Sequence, residues 1–161
     1  MFNVHSMLAG EMPALIAVQA SALCWPRSQM YGVFSRLAIS QPTEEDCDIV
    51  VAYAVVIDDD GMALIGWASI GTWEFEGQKR REVQCYVHDD HRRQGVAFSL
   101  IAAASHGMPT STLPIAVFSP EVQRIGLRLR WNVERFIYCE DGWVRVEHVD
   151  GRECVERSDK E

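Results

Sequence analysis

The sequence predicts a mixed α/β domain of the α+β kind, with a central, mostly antiparallel sheet flanked by helices. Three observations predict it. Residues 48–75 carry two long runs of strand-forming residues, with Asp60-Gly61 between them as a hairpin signal. Arg135-Phe136-Ile137-Tyr138-Cys139 and Trp143-Val144-Arg145-Val146-Glu147-His148 flank a second turn, Glu140-Asp141-Gly142. Between these hairpins, an alternating strand passes through a basic, glycine-containing turn into an alanine-rich helix.

The elements follow in order. Residues 11–23 are rich in alanine and leucine, with Pro13 suited to a first helical turn, and read as a helix. After Trp25-Pro26, Ser28 is a good N-cap, and Met30, Val33, Phe34 and Leu37 make an amphipathic second helix that Gln41-Pro42-Thr43 closes. Strands are predicted at 48–58 and 63–75, the latter turning at Glu76-Gly77-Gln78-Lys79. In the next strand Val83, Cys85 and Val87 alternate with Glu82, Gln84, Tyr86 and His88. Val96, Phe98, Leu100 and Ile101 begin a helix whose stop is Gly107-Met108-Pro109. Leu113 to Phe118 is a short strand. Pro120 opens a helix with Val122, Ile125, Leu129 and Trp131 on one face. Asp150-Gly151 starts one more short strand after the second hairpin, and the charged tail 156–161 is expected to fray.

Composition bounds the function classes. The 161 residues suit one domain, 1–161, and are 48% apolar without an apolar run of eighteen, which argues for a globular fold and against a membrane span. Met1-Phe2-Asn3-Val4-His5 is not the basic start of a secretory leader, so a cytoplasmic location is expected. Cys24, Cys47, Cys85, Cys139 and Cys154 are odd in number and scattered, as in a reduced compartment. The net charge of −8 disfavours nucleic acid as a partner and points to a cationic one, although acidity also serves solubility.

Arg92-Arg93-Gln94-Gly95-Val96-Ala97 carries the chemistry. A turn delivering a helix start aims unpaired N–H groups and the positive helix end at one spot, which makes a socket for phosphate or pyrophosphate. Gly95 lets the chain pass close to a ligand. The plainer alternative is a solvated helix start with an ordinary turn glycine. The pattern Arg92-x-x-Gly95-x-Ala97, in its strand–turn–helix setting, resembles the Arg/Gln-x-x-Gly-x-Gly/Ala signature of the GNAT acyltransferase superfamily, and the element order resembles that fold over nearly the whole chain.

The resemblance implies a sheet splayed after the fourth strand, with acetyl-CoA in the V. Its pyrophosphate would sit on Arg92, Arg93, Gln94, Gly95, Val96 and Ala97, and its pantetheine and thioester carbonyl on the backbone of Tyr86 and Val87. The family has a short strand before the first helix, for which Phe2 to Ser6 is a poor candidate. The implied activity is transfer of an acetyl group from acetyl-CoA to a primary amine of a small molecule or protein. A GNAT-fold CoA binder that has lost catalysis is the alternative. A homodimer is left open.

Acetylation needs a neutral amine, and a free alkylamine with a pKa of about 10.4 is almost wholly protonated at neutral pH. Glu82, at the head of the signature strand, is the expected base, with His88 the substitute and a merely solvated glutamate the plain alternative. A backbone N–H near Val87 would hold the oxyanion. The family's tyrosine acid belongs in the helix opened by Pro120, which has no tyrosine, so Tyr138, Tyr86, Tyr31 or Tyr53 would serve, or the thiolate would leave unaided. His88-Asp89-Asp90-His91 offers four potential ligands, but in a turn that leads to the loop, and no metal site is expected. Trp25 and Trp73 fall where the family lines its acceptor cleft, although core filling is the better reading of each tryptophan.

Overall fold

The computed structural model describes residues 1–24, 28–39, 42–106, 113–149 and 152–155. Among them, eight strands form one sheet in sequential order: β1 (Asn3–Leu8), β2 (Val50–Asp58), β3 (Gly61–Phe75), β4 (Gln78–Val87), β5 (Ile115–Val117), β6 (Val133–Cys139), β7 (Gly142–Val149) and β8 (Arg152–Val155). Neighbours pair antiparallel except β4 with β5 and β5 with β6, which are parallel. The β4–β5 ladder is short, pairing Arg81–Val83 with Ile115–Val117. Past Val83 the two strands part, and the sheet opens into the expected V.

The helices are α1 (Ala14–Leu23), α2 (Gln29–Ile39), α3 (Val96–His106) and α4 (Pro120–Arg128). Strand alternation gives the sheet two apolar faces, each with its own core. Val83, Val87, Ile65 and Ile70 pack with Leu100 and Ile101 of α3 and Val122 of α4. On the other face Val51, Val55, Leu64 and Trp67 pack with Ile16 and Ala20 of α1 and with Phe34 of α2.

The sequence expectations need correcting in three places. Residues 3–8 form β1, paired from Asn3↔Val55 to Leu8↔Val50, although Phe2 to Ser6 reads poorly as a strand. Its own side chains are mostly exposed, and what holds it is the edge of β2, the stacking of His5 on Tyr53 at 5.1 Å, and the packing of Val4 and Met7 against the two cores. The first helix starts at Ala14 rather than Glu11: residues 9–11 make a 3-10 turn, and Pro13 caps α1 in an extended conformation. The fourth helix ends at Arg128, so Leu129 is its cap and Trp131 lies beyond it, where Trp131 N donates to Gly126 O at 3.0 Å. Its start is as expected: Pro120 sits in the first turn, and Ser119 Oγ accepts from Val122 N at 3.2 Å. Trp25-Pro26, Gln41, Gly107-Met108-Pro109, Asp150-Gly151 and the tail 156–161 lie outside the described residues.

Candidate active site

The end of β4 leads directly into the basic turn. His88 caps a short 3-10 turn, Asp89–His91, its Nδ1 accepting from Asp90 N at 3.3 Å. Arg92 is tied back to the strand, with Nε donating to Val87 O at 3.1 Å and Nη2 lying 2.9 Å from Asp89 Oδ1. Arg93 and Gly95 both take positive φ, 60° and 77°, which turns the chain sharply into α3. The first bond into the helix runs from Ser99 N to Gly95 O at 3.1 Å, so the N–H groups just before Ser99 form the open, positive end of α3. Arg92, Arg93, Gln94 and Gly95 are exposed around that end, and Val96 is buried beneath it. A turn of this geometry forms a cradle that can hold a polyphosphate.

From the cradle, β4 borders the mouth of the V. A cavity of about 290 Å³ fills the V, with Gln84, Cys85 and Tyr86 of β4 on one wall and Phe118, Ser119 and Val122 on the other. Ser28, Gln29, Trp67 and Trp143 complete it. Burial pushes the Cys85 thiol up to about 12, so it is a neutral wall residue rather than a nucleophile.

Glu82 stands beside this cavity, on the face of the sheet that carries α2. It is 7% exposed, which overturns the reading of a solvated glutamate. Its neighbour Arg80 does not neutralise it. Arg80 Nε donates to Glu134 Oε2 at 2.7 Å, and its guanidinium lies over the Phe75 and Phe136 rings. The described hydrogen-bond partners of Glu82 are amides. Gln84 Nε2 donates to Oε1 at 3.4 Å, and the Gln29 side-chain amide, oriented with nitrogen toward the carboxylate, donates to Oε1 at 3.0 Å and Oε2 at 3.2 Å. Desolvation raises the carboxyl from 4.5 to about 7, against the opposing pull of Gln84. The chain of contacts continues from Gln84 Oε1 to the Ser28 hydroxyl, which donates to it at 3.1 Å. A carboxylate that half-ionises near neutrality, held by neutral donors, is suited to taking a proton from an ammonium.

A second cavity, also about 290 Å³, opens directly on Glu82 from the α2 side. Gln29 lines both cavities.

The other sequence candidates are dispersed. His88 is engaged in the turn before the cradle and lines neither cavity. Tyr138 is 70% exposed on β6, edge-on to Trp143 at 5.2 Å, and also lines neither. Tyr53 is buried against His5, and Tyr31 lines a separate groove with Cys24 and Tyr86. Of the four tyrosines, Tyr86 alone lines the V cavity, with the Arg92 guanidinium 6.0 Å from its ring centre. Trp73 sits in a cluster with Phe118, Phe136 and Trp143, with ring centres 4.8–5.8 Å apart; Trp143 and Phe118 are the members that reach the V. Trp25 is outside the described residues. Sequence reasoning did not single out Phe118 and Ser119, which line the V cavity, or Gly71, which lines the second one; the Ser119-Pro120 helix start was the available signal for Ser119. Among the described residues no group of three metal-ligating side chains converges.

A family model described as the acetyltransferase (GNAT) family matches residues 21–113, more than half of the chain and all of the strand, cradle and helix just described. A comparison with curated proteins finds no match. Among solved structures, a ribosomal-protein-alanine N-acetyltransferase from Brucella melitensis biovar Abortus 2308 superposes with a TM-score of 0.50 at 20% identity, covering 80% of this chain and 90% of that one. An aminoglycoside N-acetyltransferase in complex with CoA gives 0.48 at 16% identity, covering 81% and 88%. An acetyltransferase from Trypanosoma brucei gives 0.47 at 12% identity, covering 80% and 91%.

Proposed function

Because the chain belongs to the GNAT acetyltransferase family, we propose that it transfers an acetyl group from acetyl-CoA to a primary amine, with Glu82 as the base. The observation that carries the reading is the position of Glu82: a buried carboxyl raised to about 7, beside the cavity where β4 and β5 part, on the strand that ends at the phosphate cradle.

In this reading Arg92 to Ala97 hold the pyrophosphate, and the backbone of Tyr86 and Val87 lies along the pantetheine and thioester. The acetyl thioester supplies the electrophilic carbonyl. Glu82, ionised above about 7, accepts the proton that the amine must lose, and the nitrogen lone pair then bonds to the carbonyl carbon. A fixed N–H near Val87 stabilises the charge that builds on the carbonyl oxygen. As the C–S bond breaks, the nitrogen releases its second proton, and sulfur takes the electron pair and then a proton, so that one proton in all is given up to solvent through Glu82. Tyr86, the tyrosine that lines the V, is the nearest analogue of the acid that α4 does not carry. The products are the amide and free CoA.

The missing α4 tyrosine also favours a second reading, a CoA-binding protein without turnover. One experiment separates the two: incubation with acetyl-CoA and an amine panel, with release of CoA thiol and acetylated amine both measured. Stoichiometric amide and thiol support the transferase; calorimetric binding of acetyl-CoA without amide supports the binder.

A further inference from the structure

Gly71 has no conformational reason to be glycine. It lies inside β3, directly opposite Glu82 in the β3–β4 register. Gly61, Gly77, Gly95 and Gly142 take positive φ, and Gly71 does not. Nor does crowding require it: a Cβ built there would lie 3.9 Å from Glu82 Oε1 and 3.9 Å from Ile49 Cγ1, both ordinary contact distances. Glycine in a strand interior weakens the strand, and where no bulge or strained turn explains it, the remaining physical use is room for something that passes close by.

That room is the cavity on Glu82. Gly71, Glu82 and Ile49 all line it, with Met30 and Val33 of α2 as further apolar wall. Besides Glu82, its polar groups are Gln29, Ser69, Thr72 and the exposed carboxylate of Asp48. We infer that the gap at Gly71 is the acceptor channel, and that it selects an unbranched primary aliphatic amine. The apolar wall of Met30, Val33 and Ile49 suits a methylene chain. Asp48 draws in the ammonium, and the bare backbone at Gly71 lets the nitrogen reach Glu82. A ring or branch at the carbon bearing the nitrogen needs the width that a side chain at Gly71 would also occupy. This rests on the proposed transferase reading and gives it a substrate class.

The test uses hexylamine and cyclohexylamine, which carry the same number of carbons but differ in branching at the amine carbon. Binding to the CoA-saturated protein is measured by calorimetry, and acetylation by amide formation. The parent should bind hexylamine at least ~10-fold more tightly than cyclohexylamine, the order of discrimination that small changes in pocket fit produce. Gly71→Val should weaken hexylamine binding at least ~10-fold and raise its KM alike, while the Kd for acetyl-CoA stays unchanged. Gly71→Ala should show an intermediate loss and melt no lower than the parent, which separates a lost channel from a damaged fold. Equal binding of the two amines, no binding of hexylamine, or a Gly71→Val protein that binds it as the parent does would each overturn the assignment. Hexylamine binding that depends on Gly71 but yields no amide would leave the channel standing and sink the transferase reading. Amide formation indifferent to Gly71 would do the reverse.

Discussion

Replacing Glu82 with glutamine should change both rate and stability with pH, and the structure sets the size of the second effect. The unfolded chain ionises this carboxyl near 4.5, whereas the folded chain holds its proton to about 7. Between these values the folded state binds more protons than the unfolded one, so stability falls as pH rises. Above about 7 the deficit is fully present. At the equivalence of about 1.36 kcal/mol per pH unit, it amounts to roughly 3 kcal/mol as an upper limit. Glutamine carries no such charge and keeps the shape. The Glu82→Gln protein should therefore gain on its parent between pH 5 and 8, with a Tm gap widening by roughly 5–10 °C for a chain of this size. Its kcat/KM should fall ~10²-fold at pH 8 and lose the acid limb that the parent shows near 7. Scanning calorimetry and a pH–rate profile on both proteins measure the two effects. A Tm gap that stays constant from pH 5 to 8 would refute the buried, proton-holding carboxyl. Superimposable rate profiles would remove Glu82 as the base and return attention to His88.

Three further outcomes test the remaining residues. Gly95→Glu puts a carboxylate and a disfavoured positive φ into the cradle, and should abolish acetyl-CoA binding by calorimetry while the protein still melts cooperatively; parent-like affinity would show that the pyrophosphate sits elsewhere. Tyr86→Phe should lower kcat by ~10²-fold or less with little change in KM, whereas Tyr138→Phe, altered on an exposed hairpin, should leave both unchanged. If the net charge of −8 steers a cationic acceptor, kcat/KM for hexylamine should fall as added salt shortens the screening length to about 8 Å at 0.15 M, and a flat response would make the acidity a matter of solubility alone.

Local signals carried much of the fold. Asp60-Gly61 and Glu140-Asp141-Gly142 mark real hairpins, the alternation around Val83 marks β4, and Gly95 opens α3, because turn chemistry, side-chain period and helix starts depend on neighbours in the chain. The basic turn was legible for that reason: all of it lies within Arg92 to Ala97. Contacts made across the sheet were not legible. Strand β1 exists through the edge that β2 offers it, and no pattern in residues 3–8 records that offer. The environment of Glu82 is likewise assembled from distant segments. Gln29 comes from α2 and Gly71 from β3, and Glu134 on β6 engages Arg80, two residues before Glu82 in the chain. The sequence by itself determined a carboxylate on the signature strand and a basic, glycine-containing turn at its end. Only the tertiary structure decided that the carboxylate is buried, paired with amides and open to a cavity, because desolvation and cavity shape are set by residues that meet in space while standing far apart in the chain.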